Sequence, residues 1–358
     1  MMSAATEALD SMMKLPLTVR EGLENLRQLT EADVEVGCTP KDKVFELDHV
    51  TVYKYSPEKK GAVQTPVLIS YALVNRPYMV DLQEDRSLVR SLLSLGMEVY
   101  LVDWGYPGPL ERWLTLDDLI DDYLDACVDA VREQSGFEAI NLLGICQGGV
   151  FSLLYTALHP EKIKNLITMV VPVDFHVKPT PESGLLNAWI RGLEVDTMVD
   201  TMGNIPGDLM NFGYLMLRPF QLNVGKYLSL PDTAKDMKKL VSFLRMEKWI
   251  FDSPDQPGEV FRKFIRDFYQ GNKLVKGEVE LNGRTVDLGQ IRQPVLNVYA
   301  ELDHLVPPES SRALEAQVGT DDYTVKGFET GHIGMYVSGK VQRELPKLIG
   351  SWLEEREK

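Results

Sequence analysis

The chain has 358 residues, of which 44% are hydrophobic and 25% charged, as in a globular protein long enough to bury a large core. Its formal net charge of -15 at pH 7 argues against a nucleic-acid-binding function, because contacts to phosphate groups need a basic surface. The three cysteines are widely spaced without a CxxC pair. This pattern argues against a disulfide scaffold or a zinc site and predicts a reducing compartment.

Residues 1–43 predict an N-terminal helical arm. Met12, Leu17 and Leu23 belong to an amphipathic pattern, which favours packing over the core or at a subunit interface more than a membrane-surface role. Acidic residues near the start argue against a signal peptide, and no window approaches the ~18 consecutive apolar residues of a spanning helix. The protein is therefore predicted to be cytoplasmic and to lack a transmembrane segment.

Short apolar strands alternate with helices between residues 44 and 174. The strand candidates are VTVYKY (50–55), PVLISYALV (66–74), MEVYLVDW (97–104), INLLGI (140–145) and LITMVVPV (166–173). The later ones are apolar on both faces, as buried parallel strands are. The clearest helix covers residues 115–134, where Thr115 and Asp118 resemble a capping box and Cys127 lies on an apolar stripe.

Residues 175–290 interrupt this alternation and predict an inserted cap subdomain, because they combine helical stretches, many aromatic residues and Pro/Gly punctuation. The α/β pattern then resumes with two strand candidates and a closing helix: PVLNVYA (294–300), YTVKGF (323–328) and residues 340–357. Together, residues 44–174 and 291–358 predict an α/β core with a mostly parallel central sheet and helices on both faces.

The stretch GICQGG, residues 144–149, has the pattern of a nucleophile elbow with Cys146 at its centre. It follows an apolar strand and precedes a helical run, which is the context that this motif requires. The glycines leave room for a strained turn, and the N-terminus of the following helix favours a thiolate over a thiol. The competing interpretation is a buried structural cysteine beside a glycine-rich turn.

Possible partners of Cys146 follow the last predicted strands. Asp303 follows PVLNVYA and His332 follows YTVKGF, so nucleophile, acid and histidine occur in the order found in α/β-hydrolases. Glu301 is the rival acid, and His304 is the rival base, to which we assign a supporting role. The sequence thus predicts a triad in which His332 takes the thiol proton and Asp303 orients the imidazole.

An oxyanion hole is predicted beside this triad. The backbone N–H of Gln147 would supply one donor, and the loop after YALV would supply the second, near Val74 and Asn75. No metal site is predicted.

Longer runs of sequence resemble the catalytic subunit of class III polyhydroxyalkanoate synthases. They extend through most of the chain and are far more specific than the elbow alone. The runs are YALVNRPYMVDLQEDRS (71–87), YLVDWGYP (100–107), NLLGICQGG (141–149), VDTMGNIPG (199–207), FLRMEKWIFDSPDQPGE (243–259), RDFYQ (266–270), LDHLVPP (302–308) and GHIGMYVSG (331–339). The elbow of the related class IV enzymes departs more from GICQGG.

The resemblance implies an α/β-hydrolase fold with Cys146 as nucleophile, Asp303 as acid and His332 as base. It implies polymerisation of a (3R)-3-hydroxyacyl-coenzyme A, such as 3-hydroxybutyryl-coenzyme A, with release of coenzyme A and without a cofactor. An accessory class III subunit and a polyester granule are also implied. We expect a homodimer of the catalytic subunit at the surface of granules in the cytoplasm.

Two other functions stay open at this point. A cysteine-dependent hydrolase, of the thioesterase or dienelactone-hydrolase kind, would share the triad but would need a wet site and a much smaller cap. A non-catalytic granule-binding protein could use the same fold, although a complete triad in the expected order argues against it.

Overall fold

The computed structural model describes residues 24–178, 180, 183–217 and 225–357. Most of the predicted N-terminal arm, before residue 24, lies outside the described residues. The rest of the arm contains a helix at residues 24–28 and a short 3-10 helix at Glu31–Val34. The Asn25 side chain donates a hydrogen bond to the carbonyl of Ala234 at 2.7 Å. The described part of the arm therefore contacts the segment predicted to be the cap.

An eight-stranded, mostly parallel sheet forms the centre of the molecule and confirms the predicted fold class. In chain order the strands are β1 (Asp42–Leu47), β2 (Val50–Tyr55), β3 (Val67–Ser70), β4 (Asp81–Gln83), β5 (Arg86–Ser87), β6 (Val99–Asp103), β7 (Ile140–Ile145), β8 (Ile163–Met169), β9 (Glu280–Leu281), β10 (Arg284–Thr285), β11 (Val295–Ala300) and β12 (Tyr323–Phe328). The sheet order is β1-β2-β6-β3-β7-β8-β11-β12. Strand β2 pairs antiparallel with both β1 and β6, and the six strands from β6 onward in this order run parallel. The pairs β4–β5 and β9–β10 are separate short hairpins.

All seven predicted strands are present in this sheet. Strands β2, β7 and β12 have the predicted bounds, whereas β3 is shorter because the chain leaves the sheet after Ser70. Strand β1 was missed, and it begins at Asp42, within the predicted arm. Its sequence, DKVFEL, lies at the sheet edge with three exposed residues, and its three charged residues flank the two consecutive apolar ones, so no longer apolar run marks it.

Helices cover the sheet and fill the segment between β8 and β11. The longer ones are α1 (Leu88–Ser94), α2 (Leu116–Asp118, continuing through Leu119–Leu124 and Asp125–Ser135), α3 (Gln147–Leu158), α4 (Leu185–Arg191), α5 (Val195–Met202), α6 (Gly207–Leu217), α7 (Met237–Phe251), α8 (Gly258–Phe264, continuing through Ile265–Gln270), α9 (Pro308–Arg312), α10 (Gly334–Val337) and α11 (Gly339–Glu354). Short helical turns occur at Pro77–Val80, Pro109–Trp113, Pro160–Lys162, Lys226–Leu228, Leu230–Thr233, Lys273–Lys276, Leu288–Gln290 and Ala313–Ala316. None of the described helices combines the length and apolar character that a membrane crossing requires.

The segment between β8 and β11 divides its apolar residues among three clusters, and Trp249 packs in the one that contains residues of β3, β6 and β7. Leu186, Val199 and Ile205 belong to a small cluster of their own, which also includes Phe261. Other side chains of the segment, including Phe264, enter the large core beneath the sheet. The C-terminal part of this segment therefore packs as part of the main core, and the domain boundaries at residues 174 and 290 stay predictions.

Helix α2 begins as the sequence predicted. The Thr115 hydroxyl accepts a hydrogen bond from the Asp118 N–H at 3.1 Å, and the Asp118 carboxylate accepts one from the Thr115 N–H at 2.9 Å. This reciprocal pair is the predicted capping box. On the apolar stripe of the same helix, Cys127 is fully buried, as expected for a core residue, and burial raises the pKa of its thiol.

Cys127→Ser should destabilise the protein and leave its activity intact. A buried hydroxyl in this apolar surrounding costs about 1–3 kcal/mol when it finds no partner. Denaturant unfolding should show a lower midpoint, while the specific activity of the folded fraction should match that of the wild type. Loss of activity in the folded fraction would contradict the assignment of Cys127 to the core.

Candidate active site

Cys146 lies at a sharp turn between the central strand and a buried helix. Strand β7 ends at Ile145 and helix α3 begins at Gln147, so Cys146 alone makes the turn. Its φ of 53° and ψ of -124° lie in a region that L-residues rarely adopt. The Cys146 N–H donates to the carbonyl of Met169 in β8 at 2.9 Å, which anchors the strained residue. This geometry is that of a nucleophile elbow.

The glycines of GICQGG are required by close packing around this turn. A Cβ added to Gly144 would lie 2.5 Å from the Ser152 Oγ atom, and one added to Gly148 would overlap the backbone carbonyls of Ser70 and Tyr71. Real Cβ atoms do not approach other atoms so closely. The elbow therefore packs directly against the end of β3, where the loop with the predicted second oxyanion donor begins.

Asp303 and His332 form a buried pair at the ends of the last two strands. The Asp303 Oδ2 atom lies 2.7 Å from the His332 Nδ1 atom, and the side chains are 1% and 6% exposed. The other carboxylate oxygen, Oδ1, accepts hydrogen bonds from the N–H groups of Leu305 and Val306 at 2.8 and 3.0 Å. These bonds hold the carboxylate so that its remaining oxygen faces the imidazole.

The imidazole is also close enough to the Cys146 sulfur for hydrogen bonding to that sulfur, and for its charge, to act on the pKa of His332. Since the Nδ1 atom of His332 is engaged by Asp303, we assign the contact with sulfur to the Nε2 atom. Burial by itself lowers the pKa of His332, but the charges of Asp303 and of a Cys146 thiolate outweigh it and hold the pKa well above its ordinary value. The three residues predicted to form the triad thus lie in one continuous chain of contacts.

The rival residues lie in less suitable positions. Glu301 is exposed, whereas Asp303 is buried against His332. His304 is half-buried in the loop that carries Asp303. Two other histidines have contacts of their own: the Nε2 atom of His159 lies 3.0 Å from the Asp121 Oδ1 atom, and that of His176 lies 3.0 Å from the Tyr269 carbonyl oxygen.

Four tyrosines lie near enough to the Cys146 sulfur for its charge to act on them, and sequence reasoning did not assign them to the site. Burial is the main cause that raises the pKa of Tyr71, Tyr214, Tyr269 and Tyr336, and negative charge on the Cys146 sulfur contributes in each case. The Tyr71 and Tyr336 rings lie edge to face with centroids 6.2 Å apart, and the Tyr336 ring lies 6.2 Å from the His332 ring. Around the charged His332–Asp303 pair, these tyrosines supply aromatic rings and neutral hydroxyl groups. Three of the four lie in runs that resemble the synthases, Tyr71 in the run 71–87, Tyr269 in RDFYQ and Tyr336 in the run 331–339, and these runs were the available signal.

The predicted oxyanion donors lie beside the elbow. The Gln147 side chain accepts a hydrogen bond from the Leu73 N–H at 3.1 Å, which joins the elbow to the loop after β3. Within the described part of the chain, the backbone N–H groups of Gln147, Val74 and Asn75 have no acceptor. Free donors of this kind suit an oxyanion hole, and the roles of Gln147 and Val74 stay predictions.

The described residues contain no group of three or more His, Cys, Asp or Glu side chains arranged to hold a metal ion.

The stability contributed by the His332–Asp303 pair should depend on pH. Because the folded-state pKa of His332 is raised, its contribution is fully present below the unfolded value of about 6.5 and is lost as the pH rises through the folded-state pKa. Asp303→Asn removes the charge that raises this pKa. The difference in Tm between wild type and Asp303→Asn should therefore be largest near pH 6 and should shrink in alkaline buffer. A difference that grows with pH would contradict this ionisation.

Comparison with known proteins defines first the class and then the family. Residues 65–338 match the family model described as alpha/beta hydrolase fold. Among solved structures, a monoacylglycerol lipase from Paleococcus ferrophilus is 16% identical with a TM-score of 0.50, covering 85% of this chain and 99% of its own. A thermophilic esterase from Thermogutta terrifontis is 14% identical with a TM-score of 0.50, covering 89% and 100%. The protein thus has the α/β-hydrolase fold.

Residues 12–92 match a second model, described as Poly-beta-hydroxybutyrate polymerase (PhaC) N-terminus. The poly(3-hydroxyalkanoate) polymerase subunit PhaC of Synechocystis is 56% identical over 94% of this chain and 90% of its own length. The corresponding subunit of Allochromatium vinosum is 54% identical over 94% of both chains. The chain belongs to the poly(3-hydroxyalkanoate) polymerase family. It is an acyltransferase-type synthase of polyhydroxyalkanoates, which confirms the resemblance seen in the sequence.

Proposed function

We propose that this enzyme polymerises (3R)-3-hydroxyacyl-coenzyme A through a covalent thioester on Cys146, with 3-hydroxybutyryl-coenzyme A as its expected substrate. The observation that carries the proposal is the contact chain from the Cys146 thiol through His332 to Asp303 at a nucleophile elbow. The names of the relatives support the polymer class, and the resemblance of the sequence supports the monomer.

The first step transfers the acyl group to the enzyme. His332 takes the proton of the Cys146 thiol, and the sulfur attacks the thioester carbonyl. The tetrahedral oxyanion accepts hydrogen bonds from the N–H groups of Gln147 and Val74. A carbon–sulfur bond to Cys146 forms, the bond to coenzyme A breaks, and the leaving thiolate takes the proton held by His332. Asp303 stabilises the imidazolium throughout.

The second step forms the ester bond. The 3-hydroxyl group of the next monomer gives its proton to His332, and its oxygen attacks the acyl group held by Cys146. A carbon–oxygen bond forms, the carbon–sulfur bond breaks, and the proton passes to the Cys146 sulfur. The lengthened acyl group then remains on the coenzyme A of the incoming monomer and can acylate Cys146 again.

The cysteine suits this chemistry better than a serine. Attack by a thiolate exchanges one thioester for another, so the acyl group on Cys146 stays activated for transfer to a hydroxyl. A serine would form an oxygen ester and lose that driving force. Water must be excluded because hydrolysis ends the chain, and the buried rings of Tyr71 and Tyr336 beside His332 favour such exclusion.

We further propose that the chain works as a homodimer with an accessory subunit, in the cytoplasm at the surface of polyester granules. The relatives named above are themselves called subunits. Exposed aromatic side chains between β8 and β11 offer apolar surface for such contacts, among them Trp189, Phe212 and Phe251, which are 53%, 62% and 56% exposed.

The test is to supply 3-hydroxybutyryl-coenzyme A, with and without the accessory subunit, and to measure both thiol release and sedimentable polyester. We expect stoichiometric thiol release with polymer. Thiol release with free 3-hydroxybutyrate and no polymer would instead establish a hydrolase. If no thiol is released, even with the accessory subunit, a non-catalytic granule-binding function would be the remaining interpretation.

A further inference from the structure

The loop after β3, residues 73–76, is held by a segment of the insertion, residues 249–256. The Asn75 side-chain amide donates hydrogen bonds to the carbonyls of Trp249 and Ile250, each at 3.1 Å. The Gln256 side-chain amide donates to the Leu73 carbonyl at 3.0 Å. Asn75 is 8% exposed and Gln256 is 2% exposed. Buried hydrogen bonds of this kind fix the loop and the segment to each other.

The same loop is held on its other side by the elbow, through the hydrogen bond from the Leu73 N–H to the Gln147 side chain. The two backbone polar groups of Leu73 therefore have different partners: the elbow binds the N–H, and Gln256 binds the carbonyl. The loop connects the segment 249–256 with the residue that follows the nucleophile.

The bond from Gln256 determines where the Val74 N–H points. The Leu73 carbonyl and the Val74 N–H belong to one planar trans peptide unit, so the direction of one sets the direction of the other. Gln256 holds the carbonyl, and the Val74 N–H has no acceptor among the described residues. The Val74 N–H therefore points away from Gln256, on the opposite side of that peptide, and is free to serve as the predicted oxyanion donor.

Asn75 fixes the next peptide. Its φ of 58° lies in the left-handed region, which asparagine tolerates better than most residues. The Trp249 indole donates to the Arg76 carbonyl at 2.9 Å, immediately after Asn75. The end of helix α7 therefore holds both the side chain at the left-handed position and the backbone that follows it.

Two tyrosine hydroxyls hold the segment 249–256 against the core. Asp252 accepts hydrogen bonds from the Tyr78 hydroxyl at 2.9 Å and from the Tyr106 hydroxyl at 2.5 Å. Tyr78 lies after β3 and Tyr106 after β6, so two loops of the core bind the same carboxylate. The segment thus has its own attachment, separate from the bonds made by Asn75 and Gln256.

We propose that Gln256 and Asn75 are positioning residues of the oxyanion hole, and that docking of the segment 249–256 completes this hole. The inference rests on the proposed function of Cys146 as the acylated nucleophile. The docked segment aims the Val74 N–H at the thioester oxygen, and release of the segment frees the Leu73–Val74 peptide to rotate. The enzyme then forms its acyl intermediate only with the insertion in place.

The test compares two reactions of the same sulfur. Acylation of Cys146 by 3-hydroxybutyryl-coenzyme A passes through an oxyanion, whereas alkylation by iodoacetamide does not. Gln256→Glu keeps the shape but removes the donor to the Leu73 carbonyl. Asn75→Asp likewise keeps the shape and removes the donor to the Trp249 and Ile250 carbonyls, at a position where aspartate tolerates the backbone. In single turnovers, the acylation rate at saturating substrate should fall about 10- to 100-fold in each variant, because a displaced oxyanion donor acts on the transition state. The substrate concentration that gives half of the maximal rate should change little.

Alkylation of Cys146 should stay within about twofold of wild type in both variants, since the triad is untouched. Asn75→Gly, which accepts the left-handed backbone, should match Asn75→Asp if the side-chain amide is what matters. The matched control is Ser242→Ala, which removes a hydrogen bond of 3.2 Å between Gln83 and helix α7, away from the loop. It should leave acylation unchanged.

Unchanged acylation in Gln256→Glu and Asn75→Asp, or an equal loss of acylation and alkylation, would overturn the inference. Failure of the underlying function would look different, because the wild type itself would then form no thioester on Cys146. Mass spectrometry of the quenched enzyme separates these results.

Discussion

Cys146→Ala should abolish the acyl-enzyme and lower the rate of polymer formation by at least about 10⁴-fold. The reason is that the sulfur carries the acyl group between two monomers, and Cys146 is the residue at the elbow whose side chain acts on His332. Removing the sulfur also removes one of the two negative charges that raise the pKa of His332. Coenzyme A release, sedimentable polyester and a thioester-linked mass on the protein are the measurements.

Cys146→Ser is the matched variant, because it keeps the size and a proton that His332 can accept. It should fold like the wild type and form polymer far more slowly, since its oxygen ester is a weaker acyl donor. The buried Cys127→Ser variant supplies the second comparison, with lower stability but unchanged specific activity. Polymer formation by Cys146→Ala at the wild-type rate would show that another group is the nucleophile.

His332→Gln should slow acylation about 10²- to 10⁴-fold, the range that a well-placed general base contributes. Glutamine cannot take the thiol proton and cannot form the charged pair that Asp303 now holds at 2.7 Å from the imidazole. The measurement is the rate of thioester formation on Cys146 in a single turnover, at a pH where the wild type is fully active.

His304→Gln is the control, because His304 lies in the loop of Asp303 and was the rival base. It should reduce acylation by no more than about tenfold, through small changes around the buried carboxylate. Equal losses in the two histidine variants would reopen the choice of base. A large loss confined to His304→Gln would assign the proton transfer to that residue.

The strand pattern and the main elements of the site could be predicted from sequence because they depend on local constraints. Buried parallel strands must be apolar on both faces, and the fully buried strand β7 was predicted with its observed bounds. The elbow needs small residues wherever another backbone approaches, so GICQGG is visible in the sequence. Strand β1 was missed because an edge strand has little burial and needs no apolar run.

The choice between neighbouring candidates required the tertiary structure. Glu301 and Asp303 differ little in sequence context, but the N–H groups of Leu305 and Val306 turn only Asp303 toward His332. Strands β7, β11 and β12 run parallel in one sheet, so their C-terminal ends lie at the same end of that sheet. This arrangement brings Cys146 and His332 together although they are far apart in the chain.

Sequence alone therefore determined the class of fold, the nucleophile candidate and the order of its partners, because each depends on residue type and position along the chain. Only the tertiary structure decided what surrounds them: the tyrosines beside the sulfur, and the bonds from Asn75 and Gln256 that join the loop after β3 to a segment more than 170 residues later. Contacts between distant segments form when the whole chain packs, and no local pattern records them.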